Sequence, residues 1–403
     1  MEVILEIKYG LISSDDHLQL NQDNWTKRIS EKKWGSKIPQ LRPTQDPAHM
    51  ATDWGEADTW RWFIYDKPES PRGVANCPTM MQDPKWGEAG AHRKYFPQRW
   101  SDVPLAVYDP VERTKAMDKD GIDAAVLFPN DPVQSTAFFQ GDAEFELDCV
   151  RAYNDGAIEW VQTSPRLMCL PIIPYLNGIE ATCAEVTRVS RAGLNTGIVM
   201  LAEPSGNHKD LKHFNDPYWD PLWALCQDLE MPIHWHAGGG IGVGFRSLGW
   251  SGYTRNEMQA LGPTAGFSIQ AQFLPNVIFS GVLDRYPSLK WVCAETGLGW
   301  VNYILEGCDH EWERRHLWTE GITSKPSDLF HRQMYVDFWY EQAGIQLRHE
   351  IGMDNIMWEA DFPHSTATYP ESWEFVNRTL EGVPQKEREQ LQYGNAVKLY
   401  KLG

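Results

Sequence analysis

Eight short, mostly apolar runs recur along the chain: 11–16 (LISSDD), 123–129 (DAAVLFP), 167–173 (LMCLPII), 196–201 (TGIVML), 231–236 (MPIHWH), 289–295 (LKWVCAE), 334–339 (MYVDFW) and 354–360 (DNIMWEA). Most do not alternate between apolar and polar, as expected of parallel strands buried on both faces. Helix-like stretches separate them. Residues 110–120 follow Asp109, a side chain suited to capping, place Pro110 in the first turn and stop at Gly121, the residue that tolerates a left-handed end. Residues 143–162 carry apolar positions at helical spacing, and 217–229, 299–316, 341–352 and 386–400 read similarly. Eight strands alternating with helices predict an α/β fold, a (β/α)8 TIM barrel in preference to an open sheet.

The segment from about 24 to 108 interrupts this rhythm. It is rich in Pro, Gly and Trp, and seven of the 19 tryptophans fall within it. We read it as an insertion after the first strand, with a small hairpin expected at 58–66. A loop leaving the C-terminal end of a barrel strand lies on the catalytic face, so this one is expected either to roof a site as a lid or to be passive elaboration. Its tryptophans serve packing, or line a pocket for a ring-shaped substrate. No linker, repeat or low-complexity tract divides the chain, and 1–403 is read as a single domain carrying the insertion.

Composition narrows the partners. Lys and Arg total 37 against 55 Asp and Glu, a net charge of −18, which repels nucleic-acid phosphates and acidic membrane surfaces. No stretch approaches the roughly 20 apolar residues of a membrane span, and the N-terminus lacks the pattern of a signal peptide. The seven cysteines never form Cys-x-x-Cys, which fits reduced thiols in the cytoplasm. A small-molecule substrate is therefore expected, and the commonest closed assembly would be a symmetric homodimer.

The chemistry gathers at strand ends. The first run ends Asp15-Asp16-His17, the fifth His234-Trp235-His236, the sixth in Glu295, and the eighth leads to Asp361-Phe362-Pro363-His364. Residues i and i+2 of a strand point the same way, so Asp15 and His17 can both face the barrel axis, as can His234 and His236. Two imidazoles and two carboxylates aimed at one point make an N/O site suited to Zn²⁺, Mn²⁺ or Fe²⁺, and the lack of a thiolate separates it from structural zinc. His234 reads as a packed histidine below such a site. Arg246, in the glycine-rich loop GGGIGVGFRS, could hold a substrate carboxylate through its fork. That loop lacks the spacing of a phosphate cradle.

These motifs resemble the amidohydrolase superfamily, and within it the amidohydrolase-2 group, which includes the aminocarboxymuconate-semialdehyde and resorcylate decarboxylases. The likeness rests on Ser14-Asp15-Asp16-His17, Met117-Asp118-x-Asp120-Gly121-Ile122-Asp123, Ala152-Tyr153-Asn154-Asp155, Pro232-Ile233-His234-Trp235-His236-Ala237-Gly238 and Gly281-x₃-Arg285-Tyr286-Pro287. It continues through Glu295-Thr296-Gly297-x₂-Trp300, Asp361-Phe362-Pro363-His364 and Gly394-Asn395-Ala396. The resemblance implies one divalent metal held by Asp15, His17, His236 and Asp361, with Zn²⁺ the leading expectation. Binuclear relatives carry a carboxylated lysine after the fourth strand, where this chain reads Ala-Glu-Pro. Two positions depart from the pattern: Asp15 stands where many relatives have His or Glu, and Glu295 stands where the decarboxylases carry His.

A divalent cation brings the pKa of bound water to about 7 and polarises carbonyls. Asp361 and Glu295 are the candidate acid/base residues, with His364 either donating to substrate or supporting a ligand. The chain is thus read first as a metal-dependent hydrolase that uses metal-activated water on a small ester, lactone, amide or C–C substrate. The alternatives are a nonoxidative decarboxylase of an aromatic or unsaturated acid, and a catalytically silent ligand-binding barrel.

Overall fold

A computed structural model describes residues 5–44, 59–65, 67–68, 74–77, 97, 99–130, 139, 141–236 and 270–403, with single positions at 257, 261 and 264. Among the described residues, eleven strands run in chain order: β1 (Ile12–Leu18), β2 (Gln40–Thr44), β3 (Thr59–Ile64), β4 (Lys67–Pro68), β5 (Ala124–Pro129), β6 (Leu167–Cys169), β7 (Ile198–Val199), β8 (Ile233–His236), β9 (Trp291–Ala294), β10 (Met334–Phe338) and β11 (Ile356–Trp358). Each of the eight apolar runs contains one parallel strand. They form two arcs, β1-β5-β6 and β7-β8-β9-β10-β11. Single hydrogen bonds just outside the paired ladders bridge both seams. Val199 N donates to Pro171 O at 3.0 Å on one side, while Asp361 N donates to Asp15 O at 2.8 Å and His17 N to Phe362 O at 2.6 Å on the other. The fold is a (β/α)8 barrel of the TIM type.

The strand sequences show why both faces had to be apolar. Ala124, Val126, Phe128, Val292, Ala294 and Met357 pack inside the barrel with Ile12, Met168 and Leu170. Their neighbours Ala125, Leu127, Trp291 and Cys293 point outward into the layer shared with the helices. Burying a large aliphatic or aromatic side chain is worth about 1.5–3 kcal/mol, so these short strands gain most of their stability from packing on two sides. The helix Pro110–Asp120 begins where the Asp109 carboxylate accepts from Val111 N and Glu112 N, both at 2.9 Å, and ends at Gly121 with φ +74°. The stretch 341–352, read as one helix, is two short turns, Ala343–Gln346 and Arg348–Ile351. The final helix is interrupted by a π turn at Gln390–Gly394.

The described part of the 24–108 segment carries regular structure. Two helical turns, Gln22–Arg28 and Glu31–Trp34, precede an antiparallel sheet in the order β2-β3-β4. The small hairpin expected at 58–66 is present with its end shifted to Pro68: β3 pairs antiparallel with β4 through Phe63↔Pro68 and Ile64↔Lys67, and its longer partner on the other side is β2, through the register Gln40↔Phe63 to Thr44↔Thr59. Trp25, Trp34 and Trp62 are buried in the core, so packing accounts for these three. Among the described residues, no helix is long and apolar enough to cross a membrane.

Candidate metal centre

β1 carries the first two site residues across an irregularity, since its register on β5 shifts between Ser13 and Asp16. The shift leaves Asp15 and His17 facing one point, with His17 Nε2 3.5 Å from Asp15 Oδ1. Asp16 turns elsewhere. Its Oδ1 accepts from Ser13 Oγ at 2.9 Å and Phe362 N at 3.1 Å, fastening the end of β1 to the segment after β11. From the end of β8, His236 Nε2 reaches within 3.1 Å of His17 Nε2 and 3.3 Å of Asp15 Oδ2. Asp361 Oδ1 lies 3.3 Å from His17 Nε2. Glu295, at the end of β9, puts Oε2 3.4 Å from His236 Nε2. Asp361 and Glu295 both adopt left-handed backbone, with φ of +60° and +56°, a conformation that costs a non-glycine residue about 1–3 kcal/mol and clusters at functional sites.

Charge makes this cluster unusual. Asp15 is fully buried, and neither of its oxygens accepts a hydrogen bond. Burial, with Asp361 and Asp16 nearby, pushes its carboxyl well above the usual range. Burial pushes His17 well below its usual value, helped by His364 and His236 and opposed by Asp361. For Asp361, burial is outweighed by His364 and His17, which hold it below the ordinary carboxylate range. Two imidazole nitrogens 3.1 Å apart, beside carboxylate oxygens without donors, form a donor set that a cation would satisfy. Asp15, His17 and His236 form one candidate ligand triad, and His17, Asp361 and His364 a second that shares His17. The residues present therefore fit a single divalent ion in an N/O site.

His364 is engaged on both sides. Its Nδ1 lies 2.8 Å from Asp361 Oδ1, its Nε2 lies 3.1 Å from Asn130 Oδ1, and its ring stacks on His17 at 3.7 Å between centroids. That geometry makes it a support for Asp361 more readily than a donor to substrate. His234 packs below the cluster with Nε2 3.0 Å from Tyr400 Oη, and burial lowers it to about 3. Arg246 lies outside the described residues.

Several contributors escaped the sequence reading. Asn130 follows directly on the second apolar run, so the strand-end rule that picked out the candidate ligands reaches it as well. Thr366 donates its hydroxyl to Asp361 Oδ2. Arg113, fully buried in the helix Pro110–Asp120, donates from Nη2 to His17 O at 2.7 Å and covers the Phe362 ring at 4.5 Å; a lone arginine on a helix gives no such signal. Two further buried acids, Asp337 in β10 and Glu359 just after β11, lie beneath the cluster. Burial and their neighbouring carboxyls push both well above the usual range.

Comparison with known proteins places this geometry in a family. The amidohydrolase family model matches residues 89–402. A γ-resorcylate decarboxylase from Polaromonas sp. (strain JS666) is 26% identical over 317 residues, covering 75% of this chain and 91% of that protein. Among solved structures, an amidohydrolase from Mycobacterium avium subsp. paratuberculosis superimposes with a TM-score of 0.75 at 20% identity, covering 99% of this chain and all of the other. A dihydroxybenzoic acid decarboxylase from Polaromonas sp. JS666, with bound manganese and the inhibitor 2-nitroresorcinol, gives 0.57 at 23% identity over 75% of this chain and 89% of that one. A barrel whose strand ends gather two histidines and three carboxylates, matched by that family model over more than three quarters of its length, belongs to the metal-dependent amidohydrolases of the amidohydrolase-2 family.

Proposed function

We propose that the chain is a metal-dependent nonoxidative decarboxylase of a small aromatic or unsaturated carboxylic acid. What carries the reading is the set of curated relatives, decarboxylases matched across most of their own length, the first at 91%. This reverses the order of preference drawn from the sequence, where Glu295 favoured hydrolysis.

Asp15, His17, His236 and Asp361 would hold the ion, with Mn²⁺ and Zn²⁺ both compatible with the donors. When bound, a divalent ion supplies the positive charge that draws in a substrate carboxylate or neighbouring phenolate. The rest falls to side chains. Asp361 stays ionised between His17 and His364 and acts as a ligand. Glu295, in its protonated form, delivers a proton to the ring carbon that bears the carboxylate. The bond from that carbon to the carboxylate then breaks, its electrons restore the ring, and CO₂ leaves. The sum is a carboxylate and a proton converted to an arene and CO₂. The insertion is read as a wall or roof over the substrate, a reading supported by Cys77 lying close enough to Arg113 to feel its charge.

Hydrolysis remains the second reading, favoured by one observation. A carboxylate beside His236 is equally placed to take a proton from water. The Mn²⁺-loaded protein, given γ-resorcylate in H₂¹⁸O, should release CO₂ and resorcinol in equal amounts, with no ¹⁸O in the resorcinol. No CO₂ from this acid or a panel of related acids, together with ¹⁸O incorporation from an ester or lactone panel, would establish hydrolysis instead.

A further inference from the structure

Glu359 takes no part in the chemistry above, yet it is a fully buried carboxylate with no cation described beside it. It stands just after β11, where its own amide donates to Phe338 O at 2.9 Å. Asp337, Asp15 and Asp361 press on it electrostatically. Burying an acid among acids is costly unless the site requires it. Its side chain hydrogen-bonds with the neighbouring Asp337 carboxyl, and its Oε2 accepts from Glu295 N at 3.0 Å, spanning the end of β10 to reach the turn after β9.

That turn needs holding. Glu295 is left-handed at φ +56° and Gly297 at φ +65°. A second, half-buried acid grips the far side. Glu341 Oε1 accepts from Leu298 N at 3.0 Å, and its Oε2 accepts from Trp339 N and Tyr340 N, both at 3.2 Å. Trp300 Nε1 closes the turn on Thr296 O at 2.8 Å. The segment bearing Glu295 is thus clamped between two carboxylates from the following strand ends.

We propose that Glu359 is a positioning residue, which fixes the left-handed backbone of Glu295 and so aims the Glu295 carboxylate at the space beside His236. Glu359 acts through its acceptor oxygen. The proposal rests on Glu295 being the proton-handling residue of the site.

The test uses the Mn²⁺-loaded protein and the variants E359L, E359Q, E295Q and E295Q/E359L. Turnover of γ-resorcylate, Mn²⁺ stoichiometry and hydrogen exchange of a peptide spanning 291–298 are measured for each. E359L should lose roughly 10²-fold in kcat, the scale of a small misplacement of a reacting group, with KM and Mn²⁺ content unchanged and faster exchange in the peptide. E359Q keeps an acceptor oxygen and should stay within about threefold of the parent. E295Q/E359L should be no slower than E295Q, because the two changes remove one effect. Loss of Mn²⁺ in E359L would overturn the proposal by making Glu359 a support of Asp361. Multiplied losses in the double variant, or unaltered exchange in E359L, would also overturn it. A fully active E295Q would instead sink the role given to Glu295, while the exchange measurement, which needs no substrate, would still decide whether Glu359 holds the turn. If E359L does not fold, E359A takes its place under the same expectations.

Discussion

Side chains that look alike in the sequence separate by what surrounds them. Asp15, Asp16 and Asp361 lie within or just beyond strand-like runs. In the barrel, Asp15 has no donors, Asp16 is tied to Ser13 and Phe362, and Asp361 is held ionised by two histidines. Glu146, outside the cluster, shows the same dependence. It is buried in the helix Ala143–Thr163, and its Oε2 accepts from Leu176 N at 2.7 Å and Asn177 Nδ2 at 3.2 Å. Burial pushes it up to about 7 from 4.5, against the pull of those donors. The folded chain therefore keeps this proton to higher pH than the unfolded chain does. Its contribution is fully present below pH 4.5, falls as pH rises from there to 7, and is lost above that. Two and a half pKa units correspond to on the order of 3 kcal/mol. Glu146→Gln should remove that slope, so its unfolding free energy, measured by urea titration at pH 4 and pH 8, should fall less than the parent's. Equal falls would exclude Glu146 as the source.

At the scale of elements, local signals and long-range contacts divide the work. The cap of the helix Pro110–Asp120 is legible because Asp109 sits beside the amides it satisfies. Asp109→Ala should cost about 1 kcal/mol in chemical denaturation and leave the metal content untouched. β7 is the opposite case. It is two residues long, and Gly197 before it has φ +146°; a Cβ there would collide with Pro232 O and the His234 ring. Gly197→Ala should therefore destabilise by more than the Asp109 change and disturb His234, lowering the thermal midpoint. A midpoint equal to the parent's would mean that β7 and β8 shift to make room. Beyond its hairpin with β4, β3 gained a longer partner in β2, because pairing depends on which edge is within reach. β2 lies too far away in sequence for a local pattern to name it.

For the whole molecule, the site exists because the barrel closes. Residues from β1, β8, β9 and the segment after β11 meet across a seam sealed by Asp361 N and His17 N. Assembling such ligands stores unfavourable electrostatics that a cation relieves, so ion binding and folding are linked. Chelation should lower the thermal midpoint, and free Mn²⁺ at about 100 times its Kd should restore roughly 2.7 kcal/mol. His236→Ala should abolish that stabilisation while retaining helical circular dichroism. A variant stabilised by Mn²⁺ as strongly as the parent would remove His236 from the ligand set.

The order of strands and helices, the barrel class and the cluster of strand-end His, Asp and Glu residues were determined by the sequence alone, because periodicity and side-chain type are local properties. The tertiary structure decided which acids are bare and which are satisfied, that His364 is gripped by Asp361 and Asn130, and that Glu359 and Glu341 hold the turn of Glu295. Those outcomes depend on desolvation and, for Asn130, Glu295 and Leu298, on partners tens to hundreds of residues away, and neither exists until the two arcs of the sheet have met.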